Sequence, residues 1–119
     1  MLHNFGAGSD GAWPYATLVT GRGPGGRQVL YGTTPYGGTG PCVVGLSYGC
    51  GTAFSLTAPA SPGTWTEEVL YSFTGAPGDG MYPYAGLVIG SGHSGHPVFY
   101  STTGQGGSAG LGTIFSFEP

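Results

Sequence analysis

The sequence predicts an all-β fold: a β-propeller-like chain of two four-stranded antiparallel blades that oligomerisation completes. Three observations lead there. The chain repeats itself once along nearly its whole length, each copy divides into short segments rich in β-branched and aromatic residues, and turn-forming residues separate those segments.

Four linked motifs define the repeat. LHNF at 2–5 matches LYSF at 70–73, DGAWPYATLV at 10–19 matches DGMYPYAGLV at 79–88, LYGTTPYGG at 30–38 matches FYSTTGQGG at 99–107, and GTAFSL at 51–56 matches GTIFSF at 112–117. The offsets are 68, 69, 69 and 61, so the first copy holds eight extra residues between Gly38 and Gly51. Residues 1–57 form the first repeat with its insertion, and residues 58–119 the second.

In the second copy the strands are read as TWTEEVLYSF, PYAGLVIG, PVFYSTT and GTIFSF, with TGAPGDG, GSGHSG and GQGGSAGLG turning between them. Asp10-Gly11 and Asp79-Gly80 read as turns, and Pro14 and Pro83 as the first residues of the strands that follow, where no ladder donor is lost. No segment places apolar residues at helical spacing over three turns. Glycine (27) and proline (10) make up close to a third of the 119 residues, a bias that accompanies disorder when apolar surface is lacking, but eight Tyr, six Phe and two Trp supply that surface.

The insertion carries both cysteines, in CVVGLSYGC. Cys42 and Cys50 close as a disulfide around a short glycine-flanked loop, which places the chain in an oxidising compartment; the competing reading is a pair of free thiols.

W-T-E-x-V-L-Y-S-F, D-G-x-x-P-Y-A-G-L, L-Y-G-T-T-x-x-G-G and G-T-x-F-S-L together resemble the GloVer tandem repeat, over nearly the whole chain. The resemblance implies a propeller-like array that is extracellular or attached to the cell surface, and implies no particular activity. The chain departs from that pattern in having two copies, no anchor and the cysteine-bearing insertion.

Charge and motifs narrow the function. There is no lysine, Arg22 and Arg27 are the strong cations and the formal net charge is −3, which leaves no phosphate-neutralising patch for nucleic acid. No apolar run is long enough to span a bilayer. His93 and His96 in HSGH have metal-compatible spacing but no third ligand in sequence, so neither a metal nor another cofactor is assigned. Glu67 and Glu68 are neighbours on a strand and point to opposite faces, Asp10 and Asp79 sit in equivalent turns of different copies, and no serine stands in a nucleophile elbow, so no catalytic set is assigned.

The aromatics of WPY and YPY are the ligand candidates: Trp13 with Tyr15, and Tyr82 with Tyr84, share one side if the segments are strands. Exposed, they suit stacking on sugar rings. Buried, they fill the space between sheets, the reading preferred here, and Trp13→Ala then costs about 3 kcal/mol. Because LHNF lacks counterparts of Thr64 to Glu68, the first blade is expected to be short on one strand. Two blades leave apolar faces in water, so the chain is read either as a fragment of a longer array or as a subunit whose partner is itself, packed head to tail; its function is structural assembly, with glycan binding as the alternative.

Overall fold

The computed structural model describes residues 1–92 and 95–119. Among them there is no α-helix, and every strand pairing is antiparallel. In chain order the strands are β1 (Val19–Arg22), β2 (Gln28–Thr34), β3 (Val43–Val44), β4 (Ser47–Tyr48), β5 (Thr52–Thr57), β6 (Thr66–Ser72), β7 (Gly80–Met81), β8 (Val88–Ser91), β9 (Pro97–Thr103), β10 (Gln105–Gly106) and β11 (Thr113–Phe117). They build a four-stranded meander, β1-β2-β5-β6, a three-stranded meander, β8-β9-β11, and the small ribbons β3-β4 and β7-β10. The sheets do not close into a propeller.

Two expectations are corrected. Thr66–Ser72, read from sequence as the opening strand of the second blade, pairs with β5 from Thr57↔Thr66 to Thr52↔Ser72 and is the fourth strand of the first sheet. A short turn-rich connection returns the chain beside the strand it has just left, and that local pairing outweighs membership of the repeat. The first sheet therefore crosses the boundary between residues 57 and 58, and the second sheet, not the first, has three strands. The second correction concerns Pro14 and Pro83: both precede their strands by several residues, in irregular chain, so the alternation argued for the neighbouring aromatics does not apply.

Alternation does govern the sheets. Val29, Tyr31 and Thr33 of β2 share one face with Ser55 and Ala53 of β5, while Leu30 and Gly32 share the other with Leu56 and Phe54. The first face packs on the second sheet. There Val29, Tyr31, Leu87 and Phe99 form a buried cluster with Val19, Leu70, Phe115 and Phe117 against it, and the Tyr31 and Phe99 rings lie 4.5 Å apart. Thr33 Oγ1 donates across the seam to the Ala85 carbonyl at 3.0 Å.

A polar lock repeats in each copy. The Thr34 hydroxyl donates to the Tyr36 carbonyl and pairs with Thr52 Oγ1 at 2.8 Å; Thr103 donates to the Gln105 carbonyl and pairs with Thr113 Oγ1, also at 2.8 Å. Both threonines of the first pair are fully buried, and these bonds satisfy hydroxyls that would otherwise carry a desolvation cost.

The insertion is the β3-β4 ribbon, closed by the Cys42–Cys50 disulfide. It lies on the seam: a Cβ on Gly75 would stand 3.1 and 3.3 Å from the two sulfurs, and Cys42 Sγ lies 3.6 Å from Met81 Sδ. Replacing both cysteines by serine is expected to cost about 2.5 kcal/mol, the loop-closure value for a ring this small, and to leave both sheets intact. A thermal melt checks the first part and an unchanged circular dichroism spectrum the second.

Candidate functional site

The candidate site is a surface, and the repeat reveals it. Sheet one's buried face (Val19, Tyr31, Thr33, Ala53) has as its counterparts in sheet two Val88, Tyr100, Thr102 and Ile114, all exposed. On sheet two's side of the seam, the buried Leu87 and Phe99 and the half-buried Phe115 and Phe117 have as counterparts Leu18, Leu30, Phe54 and Leu56, which line a groove of about 270 Å³ on the outer side of sheet one; there Leu18 is exposed and Leu30 half-buried, while Phe54 and Leu56 are buried at the groove floor. Each interface half thus occurs twice in sequence: the counterpart of the sheet-one half is exposed, and the counterpart of the sheet-two half is a groove whose rim, at Leu18, is exposed. The contrast is sharp at Ala53, 0% exposed, against Ile114 at 83%, and at Leu87, 4%, against Leu18 at 43%.

The segment beside the outer groove is built as its counterpart is. Phe5 stands edge-on to Phe54 at 5.1 Å, as Phe73 does to Phe115 at 4.9 Å. His3 Nε2 lies 3.2 Å from Asp10 Oδ2, where the Tyr71 hydroxyl donates to Asp79 Oδ2 at 2.8 Å. Each aspartate also accepts main-chain amides of its own turn, Gly6 and Ala7 for Asp10, Thr74 and Gly80 for Asp79. These carboxylates are occupied in holding turns.

Glu67 pairs across from Leu56 and Glu68 from Ser55, placing them on opposite faces. Burial, followed by the nearby Asp10 and Glu68 charges, pushes the Glu67 carboxyl above the usual range, with His3 opposing. Among the described residues its Oε1 has no hydrogen-bond partner. His96 is exposed, and His93 lies outside the described residues.

The aromatic candidates fall apart into two environments. Trp13 and Tyr82 adopt the same left-handed backbone, φ 61° and 60°, which is strained for bulky residues. Tyr82 is held: its amide donates to the Cys50 carbonyl at 2.8 Å, its carbonyl accepts from Gly104, and its ring packs on Tyr36 at 5.4 Å. It is 8% exposed, whereas Trp13 is 60% exposed, so the burial expected of both is found for Tyr82 alone. The physical reason is position in the repeat. Tyr82 packs on groups of the first copy, and the groups matching them for Trp13, Gln105 and Leu111, lie at the far end of the second. In the isolated chain Trp13→Ala is accordingly expected to change stability by no more than about 0.5 kcal/mol.

Tyr15 and Tyr84 come together on the surface, ring centroids 6.2 Å apart, and Tyr36 completes the group through a 2.5 Å hydroxyl-hydroxyl bond to Tyr84. The sequence reading does not include Tyr36; the signal available is that Gln105 stands in its place in the second copy. The Tyr36 hydrogen bond, then burial, pushes the Tyr84 phenol up to about 12. A raised phenol pKa means that the fold favours the neutral form. This contribution is complete below the ordinary tyrosine value of about 10 and is lost as pH rises from there toward the folded-state value. Tyr36→Phe is expected to return Tyr84 toward its ordinary pKa, which a tyrosinate absorbance titration reads.

Among the described residues no helix is long and apolar enough to cross a membrane. Compared with protein-family models, with curated proteins and with solved structures, the chain matches none.

Proposed function

We propose that this chain is a non-enzymatic assembly module of the cell surface or extracellular space, whose sheets stack head to tail with those of further copies into a closed propeller-like ring. The observation that carries the reading is that the sheet-one half of the inter-sheet interface has an exposed counterpart on sheet two, and the sheet-two half has as its counterpart an apolar groove on the outer side of sheet one. A surface matching one half beside a surface matching the other makes a heterologous contact, which propagates from copy to copy.

Side-chain sizes support the match. Across the covered seam the inner face presents Ala53 to a sheet carrying Phe99 and Phe117; on the open surfaces the larger Ile114 stands in place of Ala53, and the smaller Leu30 and Leu56 in place of the two phenylalanines. Large-for-small exchange on one side is offset by small-for-large on the other, which conserves packing volume. Each sheet is a short meander, the unit from which propellers are built, and two per chain means that roughly three or four copies close a ring of six to eight. The disulfide fits an oxidising compartment, and the GloVer-like repeat fits a surface array.

Light scattering over a range of concentrations tests this. The expected result is one mass of several chains, each 11.9 kDa; a well-folded, concentration-independent monomer overturns it, and fibres of unlimited length would replace the ring by a filament. A second reading, glycan binding, is favoured by the exposed Tyr15 and Tyr84 rings. Loss of glycan-array signal in a Tyr15→Ala, Tyr84→Ala chain of unchanged mass would support it.

A further inference from the structure

We propose that Leu2–Phe5 of one copy serves as the fourth strand of the three-stranded sheet in a second copy, antiparallel to β11, with His3 opposite Ile114 and Asn4 opposite Thr113. This rests on the head-to-tail reading and adds to it a second kind of bond, main-chain pairing at a sheet edge.

The inference begins with the two sheets' unequal strand counts. In sheet one β5 lies between β2 and β6, whereas in sheet two the corresponding β11 has β9 as its one neighbour, leaving its other edge unpaired among the described residues. An open edge is a row of amides and carbonyls ready for another strand. The strand that fills the matching place in sheet one ends in LYSF, and LYSF is the segment that LHNF repeats. Carrying the observed register Thr52↔Ser72 and Ala53↔Tyr71 through the offsets gives Thr113↔Asn4 and Ile114↔His3.

The segment is already placed for this. Among the described residues Leu2–Phe5 has no strand partner, yet Phe5 and His3 stand against Phe54 and Asp10 as Phe73 and Tyr71 stand against Phe115 and Asp79. Leu70–Phe73 meets one sheet with its side chains while its main chain extends the other. Leu2–Phe5 meets sheet one in the same way, and its main chain is left for the edge of a preceding sheet.

Three further bonds follow from bonds seen between the two copies of the repeat, the first at the end of the β5-β6 ladder and the other two across the seam. Phe73 N donates to the Gly51 carbonyl at 3.0 Å, Tyr82 N to the Cys50 carbonyl at 2.8 Å and Thr33 Oγ1 to the Ala85 carbonyl at 3.0 Å. Their counterparts join copies: Phe5 N to the Gly112 carbonyl, Trp13 N to the Leu111 carbonyl and Thr102 Oγ1 to the Ala16 carbonyl. The room for them is present. Gly51 and Gly112 share φ 104°, and a Cβ on Gly51 would stand 2.6 Å from Pro83 Cδ; Gly112 leaves the same space for Pro14 of the next copy. The bond to Leu111 also gives the strained, exposed Trp13 the hold that Tyr82 has.

The test is a crosslink in the full chain. His3→Cys with Ile114→Cys, oxidised in air, is expected to give a ladder of covalent multimers without reductant, while His3→Cys with Thr102→Cys, one strand further in, is not. Adjacent residues of an antiparallel strand alternate in pointing their amides at the neighbour, so His3→Pro with Asn4→Pro removes at least one ladder bond and should weaken assembly at least about tenfold. If the unaltered chain is multimeric but the crosslink is absent and the proline variant keeps its mass at every concentration, edge pairing is wrong and face stacking stands. A monomeric unaltered chain overturns both.

Discussion

Phe99→Ala is expected to lower the stability of the chain by about 3–5 kcal/mol, a large part of the total for a domain of this size. Phe99 is 1% exposed, packs on Tyr31 at 4.5 Å and stacks on Phe117 at 5.4 Å, so its removal opens a cavity across the seam that two sheets, each braced by its own ladder, cannot close by collapse. The melting temperature should fall by roughly 15 °C. Leu30 occupies the same place in the first repeat but faces the open groove, so Leu30→Ala, measured at concentrations where copies are separate, should cost about 1 kcal/mol. Equal losses at the two positions would contradict the assignment of one covered and one open face.

Ile114→Asp is expected to reduce the particle to a single chain while leaving the fold alone. In one chain the side chain is in water, and a polar replacement there changes stability by no more than about 0.5 kcal/mol. On the proposed head-to-tail stacking it enters the apolar groove of Leu18, Leu30, Phe54 and Leu56, where an unpaired carboxylate costs several kcal/mol at each contact between copies. Since each 1.4 kcal/mol is a tenfold change in affinity, assembly should weaken at least a hundredfold. Light scattering reads the mass and circular dichroism the fold; a variant that keeps its multimeric mass would remove the open face of sheet two from the interface.

Much of this architecture was legible in the residues. TWTEEVLYSF, PVFYSTT and GTIFSF became strands over most of their length and PYAGLVIG only from Val88 on, the offset drop from 69 to 61 located the insertion, and the disulfide formed within it. What could not be read was which sheet a strand joins. TWTEEVLYSF belongs to the second copy by similarity and to the first sheet by hydrogen bonding, because pairing depends on the turn that precedes it and similarity does not. The environments of Trp13 and Tyr82 were hidden for a related reason: their residues and backbone are alike, but burial comes from the repeat before, and only Tyr82 has one in this chain. The Tyr15, Tyr36 and Tyr84 group joins residues from both copies, so neither repeat alone contained it.

The offset between repeat and sheet also bears on how such a chain lengthens. A stretch of DNA encoding one repeat, copied in tandem, specifies the last strand of one sheet followed by the first three of the next. Inserted at any repeat boundary, it restores a complete sheet on either side of the join, so growth by unequal recombination never leaves a half-built unit in the middle. Each newly copied segment is also threaded through two neighbours at once, and the units it joins cannot be separated by cutting the linker between them.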